Sequence, residues 1–297
     1  MMLGVLVVGF TLGNRDFLKP ANLLNVLDQS SVLLLIALPM TLVIMTEGLD
    51  LSIGAVLTLA AVVLSTVAVG TGSLVLALLA GTSVGLACGI VNGWLVAWLR
   101  IPPFVATLGL FGVAQSLALA VTDGQSVVGI PPSVEAVYSG TVAGVPMPIL
   151  LMVVAYAVFH VLLYRTAFGT YVFALGGNRE ALIFAGIPQR LVLLCVYALA
   201  GLMAGIAGLV LTARLNAGHP TAGIGMEFDA IAAVAVGGTS FERGNGWLPG
   251  TLLGVVTIGV LRNGLNLIAL PSSLQVCCVG ALVILAFVIE ALRGTSS

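Results

Sequence analysis

Charge is what this sequence lacks. Its 297 residues include only 10 lysines and arginines and 11 aspartates and glutamates, where an ordinary soluble domain of that length carries about 75 charged side chains. With 60% apolar residues, too little polar surface exists to wrap a water-soluble fold without large exposed apolar patches. The shortage excludes a soluble protein, and the solvent must be lipid. A net charge of −1 leaves no basic face for nucleic acid and no acidic tail for a basic partner. Lys19 is the only lysine.

Other absences narrow the chemistry. Cys88, Cys195, Cys277 and Cys278 all lie inside apolar runs, none in a CxxC or Cys/His ligand spacing, so they read as small core residues rather than a disulfide framework or metal site. Neither a metalloprotease HExxH, a phosphate-cradling GxxxxGK[ST] nor a dinucleotide GxGxxG occurs, and an enzyme is left without residues to run it. His160 and His219 stand alone and read as hydrogen-bonded structural residues rather than a proton relay. No positive n-region or small-residue cleavage site marks a secretory signal.

What is present is a series of charge-free stretches. A helix needs about 20 apolar residues to cross a hydrocarbon layer of about 30 Å. Leu51 to Leu99 contains no charged residue, which predicts two spans joined at Gly70-Thr71-Gly72-Ser73. The same reasoning predicts spans near 31–47, 52–69, 74–98, 104–121, 148–164, 191–212, 226–240, 248–268 and 274–292. Segment 2–13 adds a tenth, short enough to require tilting with help from neighbours, or further residues upstream of Met1. Segment 226–240 is also short and Gly-flanked, the pattern of a partial or broken span. The expected fold is an all-α, polytopic integral membrane helix bundle of about ten transmembrane segments, forming one transmembrane domain over 1–297.

Positive residues collect in cytoplasmic loops. None lies between Arg100 and Arg165, which puts the loop 123–147 outside. The loop 165–190 carries Arg165, Arg179 and Arg190 and belongs inside. Alternate counting then puts both termini in the cytoplasm, with Arg100, Arg243 and Arg293 also inside and Arg15, Lys19, Arg214 and Arg262 outside. Gly81, Gly85, Gly89 and Gly93 recur every fourth residue, stacking on one helix face where a second backbone can approach. Gly201 and Gly205, with Gly208, repeat the pattern. These are packing seams, within one subunit or between subunits. Trp94, Trp98 and Trp247 fall at inner ends, at headgroup level.

Three polar features interrupt the apolar runs. Glu47-Gly48-Leu49-Asp50-Leu51-Ser52 separates two spans. It reads either as a turn in which Asp50 or Ser52 caps the next helix, or as a gate in a translocation path. Glu227 and Asp229 echo it at the start of another short span, as inverted repeats do. The second feature is the inner loop Gly177 to Gly186. Asn178 suits an N-cap, Glu180 the first turn and Gly186 the left-handed stop, with Pro188 beyond. A helix of about two turns results, too short to be stable alone. Its apolar Leu182, Ile183 and Phe184 are expected to be exposed, ready for a partner protein or the bilayer surface. The third is Arg262-Asn263-Gly264-Leu265-Asn266, about 22 Å along its span and in the outer third. There the guanidinium can snorkel, with amide bonds between helices, or line a substrate path. Asn92, Thr107 and Gln115 carry the same two readings.

The segments EGLDLSIG at 47–54, VNGWLVAWLRIPPFVATLG at 91–109, ALGGNREALIFAGI at 174–187, PTAGIGMEFDAIAAVAVGGTSFERGNG at 220–246 and LRNGLNL at 261–267 resemble successive blocks of the ribose-type permeases of bacterial ABC importers, whose members serve ribose, xylose, galactosides and autoinducer-2. The resemblance runs from about residue 20 to the end. It implies a multi-pass subunit of the bacterial inner membrane, pairing with a second permease copy or homologue, two cytoplasmic ATPases and a periplasmic sugar-binding protein. ATP and magnesium belong to the ATPases, and this chain is expected to hold no cofactor or metal. Gly177, Asn178, Arg179, Glu180, Ala181, Leu182, Phe184 and Gly186 match the coupling helix that engages the ATPase. Glu47, Asp50, Ser52, Asn92, Thr107, Gln115, Asp229, Asn263 and Asn266 are the candidates for path or gate. The family's usual two glycines before Asp50 become Glu47-Gly48, and its Gly-rich turn becomes Phe241-Glu242-Arg243-Gly244. The N-terminal tail is shorter than the family's. The rival reading is a self-sufficient secondary transporter or channel, ion-coupled through Glu47, Asp50 and Asp229.

Overall fold

The computed structural model describes residues 2–240 and 245–294; Phe241 to Gly244, Arg243 included, lie outside the described residues. Among these, thirteen helices account for most of the chain: α1 (Met2–Gly13), α2 (Pro20–Met45), α3 (Ile53–Thr71), α4 (Leu74–Ala97), α5 (Pro103–Thr122), α6 (Pro132–Ser139), α7 (Met147–Arg165), α8 (Ala167–Gly177), α9 (Arg179–Phe184), α10 (Gln189–Leu215), α11 (Met226–Val236), α12 (Leu248–Leu267) and α13 (Ser272–Gly294). Seven of them, α2, α3, α4, α5, α7, α10 and α12, are long and apolar enough to cross a membrane. In lipid, a helix satisfies its own backbone hydrogen bonds and can therefore stand where a loop cannot.

Helix α2 begins at Pro20, eleven residues before the charge-free run that predicted it. Its first turns hold Asp28, and from Ser30 to Met45 every residue is buried. This makes α2 the central post, with α10, α12, α7 and α11 around it. Helices α4, α5 and α7 keep most of their surface outward. Their exposed residues are apolar, among them Leu79, Ile90, Val113, Leu117, Val154 and Val158. In a bilayer such a surface meets acyl chains without loss.

The seam between α4 and α10 is a backbone contact. A β-carbon on Gly205 would lie 2.7 Å from Thr82 Cα and 2.8 Å from the Gly81 carbonyl oxygen. Gly85 and Gly201 face each other still more closely, and Gly89 faces the Tyr197 carbonyl. The four-residue glycine ladder of α4 is thus used inside this chain. The pentad Gly81 to Gly85 also reads as G-x-S-x-G, but Ser83 sits mid-helix with its side chain exposed, far from the strand-to-helix turn that pattern needs.

The loop 123–147 contains more order than its composition suggests. It holds α6 and a hairpin pairing Thr141–Val142 with Val145–Pro146, turned by Ala143 and Gly144 at positive φ. Tyr138 of α6 donates its hydroxyl to the Asp28 carboxylate on α2. Burial first, and Asp28 second, push the Tyr138 phenol up to about 12. Arg165 closes α7, and α8 then runs eleven residues before Asn178 ends it; this second apolar helix in the loop 165–190 was not expected.

Candidate functional site at two breaks in the membrane helices

Two segments leave the helical state inside the bundle, and each must satisfy its backbone polar groups by other means. The first is 46–52, between α2 and α3. Gly48 N–H donates to the Val43 carbonyl, 3.0 Å, and Glu47 N–H to that of Ile44, 2.9 Å, the six-to-one and five-to-two bonds of a Schellman stop. The left-handed position of that stop is Glu47, at φ 59°, where glycine is the unstrained choice. The segment then turns inward. Asp50 Oδ1 accepts from Ser52 N–H (2.9 Å) and Ser52 Oγ (2.6 Å), and Asn92 Nδ2 donates to Ser52 Oγ at 2.8 Å. Thr107 Oγ1 lies 3.1 Å from the Leu49 carbonyl and accepts from Leu51 N–H. Asp50, Ser52, Asn92 and Thr107 are all buried. The capping expectation is corrected in part, since Ser52 makes no side-chain cap bond and Asp50 takes the Ser52 amide.

The second break is 216–225, between α10 and α11. Gly218 forms a backbone bridge with Val127 and packs on Ser65. Gly223 N–H donates to Thr58 Oγ1, 2.9 Å away. From Ser65 to Thr58 is about 10 Å along α3, so this non-helical segment, a single bridge at Gly218 followed by turns over 220–225, descends into the bundle beside α3. Gln115 Nε2 donates to the Pro220 carbonyl, 2.7 Å, and Ser126 Oγ meets His219 Nδ1. At the bottom, Gly225 takes φ 90° and its N–H donates to the Glu227 carboxylate, 3.1 Å. Helix α11 starts there and reaches the far end, where Gly237 meets Gly250 and receives Trp247 Nε1 at 3.0 Å. Of the short, Gly-flanked span expected at 226–240, α11 forms 226–236, and the non-helical segment 216–225 leads into it. Gly54, at the start of α3, packs directly on Gly223 and the Glu227 carboxylate, and the two breaks meet at that point.

The paired acids are built differently. Glu227 holds the turn that starts α11. Asp229 receives Arg262 Nη2 at 2.8 and 2.5 Å. This corrects the snorkelling expectation for Arg262, whose guanidinium turns inward because a carboxylate waits there and a paired charge is far cheaper in low dielectric than a lone one. Asn263 and Asn22 exchange amide bonds of 2.9 and 3.0 Å, and Gln275 donates to Asn266 Oδ1, 2.7 Å. A cavity of about 720 Å³ opens beside the ion pair, lined by Gln29, Arg214, Asp229, Arg262, Asn266 and Gln275 among apolar residues.

A second cavity of about 740 Å³ lies at the other end, under α9. Glu47, Arg100, Arg179, Arg190 and Tyr197 line it, so Glu47 stands apart from Asp50 and Asp229. Above it, α9 starts at Arg179, one residue after Asn178, with Glu180 in its first turn. Gly186 at φ 70° and the bond from Ile187 N–H to the Leu182 carbonyl, 3.1 Å, stop it in a Schellman turn. Leu182 is buried, contrary to expectation, and anchors the helix to the bundle, while Ile183 and Phe184 are 58% and 89% exposed. A six-residue helix holds its shape through such an anchor. Tyr197, Thr58 and Gly54 were not among the sequence candidates, and Arg262 was read from the sequence without its partner Asp229. Thr58 and Arg262 pair with Gly223 and Asp229, which lie far away in sequence.

Seven spanning helices, two broken segments meeting at mid-bundle and a docking-type helix at one end define a membrane transport permease. Residues 22–287 match the family described as the permease component of branched-chain amino acid transport systems, and the chain belongs to that family. It is 40% identical over 288 residues to the ribose import permease protein RbsC of Bacillus subtilis, covering 96% of this chain and 89% of that one. The D-allose transport system permease protein AlsC of Escherichia coli K12 is 34% identical over 293 residues, covering 98% and 90%. The L-arabinose ABC transporter permease protein AraH of Azospirillum brasilense is 33% identical over 293 residues, covering 99% and 86%. No solved structure gives a significant match. The family and these relatives are described as permeases of transport systems, RbsC as an import permease and AraH as an ABC transporter permease, which favours a permease subunit over the self-sufficient secondary transporter or channel.

Proposed function

We propose that this chain is the membrane permease subunit of an ABC-type importer that moves a sugar across a bacterial inner membrane. The chain crosses about ten times as a single transmembrane domain, with both termini in the cytoplasm. The seven long helices are joined in that count by α1, α13 and the broken segment 216–236. The end bearing Arg100, Arg165, Arg179 and Arg190 faces the cytoplasm, and 123–147 faces the periplasm, following the distribution of arginine. A second permease copy or homologue completes the pathway, a periplasmic binding protein delivers the sugar, and separate ATPases hold ATP and magnesium.

The construction of α9 carries this reading. Its buried Leu182 ties it to the bundle and its exposed Ile183 and Phe184 face away, which suits a lever pushed by another protein. Gly177, Asn178, Arg179, Glu180, Ala181 and Gly186 shape it. Closure of the ATPases would move α9 and, through α10, the break at 46–52. Glu47, Asp50, Ser52, Asn92 and Thr107 form the gate region on that side. Gln115, Asp229, Asn263 and Asn266, with Arg262, form the polar half of the path on the other.

In proteoliposomes with the ATPase and binding protein, Phe184→Asp is expected to abolish ATP-dependent uptake and ATPase co-purification while insertion persists. Retention of both activities after removal of residues 178–186 would rule out α9 as the coupling element.

A further inference from the structure

The cavity under α9 is unusual for this chain because it gathers charge. Arg100, Arg179 and Arg190 line it against one carboxylate, Glu47, in a protein with only 10 basic residues. Among the described residues the ion pairs are Lys19–Asp16 and Arg262–Asp229, so no described carboxylate forms an ion pair with any of the three guanidinium groups. The Tyr197 hydroxyl lines the same cavity from below, fully buried and without a hydrogen-bond partner. A buried unpaired donor costs about 1–3 kcal/mol, and an acceptor entering the cavity relieves it. Two lining residues, Glu47 and Arg100, hold left-handed backbone at φ 59° and 57°, a conformation found at ligand clamps.

The surroundings indicate what the acceptor is attached to. Leu99 and Phe104, next to the lining residues Arg100 and Pro103, are 52% exposed each, and Leu191, next to Arg190, is 50% exposed. Trp94 and Trp247 are half exposed near the same end, and indoles favour the headgroup layer. Guanidinium groups in a pocket open to that layer, beside exposed apolar side chains, suit a phosphate carried on acyl chains. We propose that this cavity is a binding site for a phosphate anion, filled by the headgroup of an acidic phospholipid, which braces α9 against the 46–52 break. The inference rests on the proposed cytoplasmic, lipid-embedded placement of this end, but its test reads binding and needs no transport.

The test uses the purified full chain in nanodiscs of phosphatidylcholine with increasing phosphatidylglycerol, reading bound lipid by native mass spectrometry and the thermal midpoint. Phosphatidylglycerol is expected to be retained and to raise the midpoint. Arg179→Gln and Arg190→Gln should each weaken retention roughly fivefold, and Tyr197→Phe should weaken it less. Arg165→Gln, at the same end but outside the cavity, should leave retention unchanged; an equal loss there would mean diffuse surface attraction and overturn the site. A matching rise with millimolar inorganic phosphate in pure phosphatidylcholine, lost in the same arginine variants, would assign the site to a soluble phosphate instead of a lipid. No response to either phosphate source in the parent chain would refute the proposal. Arg190→Lys serves where a glutamine variant fails to fold, and should keep most of the binding.

Discussion

Adding one methyl group at Gly205 tests the α4–α10 seam most directly. An alanine β-carbon would stand 2.7 Å from Thr82 Cα and 2.8 Å from the Gly81 carbonyl oxygen. Carbon atoms pack best at about 3.5–4.0 Å, so the two helices must part by about 1 Å. Both obstructing atoms are backbone, and no side chain can rotate away. The parting spreads along the seam, because Gly85, Gly89 and Gly201 hold the same two backbones together. Overpacking of this kind costs about 1–3 kcal/mol, and the upper half of that range is expected here. Gly109→Ala in α5 is the control: nothing lies within 4 Å of its β-carbon position, and helix propensity favours alanine by up to about 1 kcal/mol. The assay is thermal unfolding in one detergent, read by helical circular dichroism. Gly205→Ala should unfold several degrees below the parent and Gly109→Ala at or above it. Equal midpoints for parent and Gly205→Ala would refute the claim that the seam is a rigid backbone contact.

Other outcomes follow from the polar contacts. Asp229→Asn should destabilise the chain by roughly 2–4 kcal/mol, below the top of the range for buried pairs because the Arg262 side chain is 37% exposed; adding Arg262→Gln should recover part of the loss in the same unfolding assay. Thr58→Val leaves the Gly223 N–H without its acceptor at about 1–3 kcal/mol, and should speed proteolysis or hydrogen exchange within 216–225 before elsewhere. Glu47→Gly removes a β-carbon from a left-handed position and is expected to be neutral or stabilising by up to about 1 kcal/mol; clear destabilisation would show that the Glu47 carboxylate has a structural partner. For Tyr138, burial and Asp28 favour the neutral phenol. The native state therefore keeps its proton where the unfolded chain loses it, and this contribution to stability is complete below pH 10 and disappears as pH rises to about 12. Tyr138→Phe should flatten that alkaline limb of the unfolding midpoint.

Much of the architecture was legible because lipid imposes simple rules. Charge-free length marked the seven long spans, the i, i+4 glycines marked the α4 face, and Gly186 marked the end of α9 at its true position. The candidate site was legible only as a set of residue types. Asp50, Ser52 and Asn92 were all candidates, yet their chain of hydrogen bonds joins a loop to a helix forty residues away. Leu182 was placed on the wrong face, since a six-residue helix has too few turns to reveal which side is covered. Arg262 was placed by its distance along α12, which says nothing about which neighbour offers a carboxylate.

By itself, then, the sequence determined the solvent, the spacing of the helices and the blocks that mark a permease, all of which depend on local composition and on the length of apolar runs. The tertiary structure alone decided that 216–225 descends beside α3 as a turn-rich, non-helical segment, that Asp229 neutralises Arg262, and that arginines from the α4–α5 connection, α9 and the start of α10 surround one cavity. These depend on neighbours far apart in the chain. In a bilayer the outside is as apolar as the inside, so hydrophobic periodicity, which in water would point each helix toward its partners, carries little of that information.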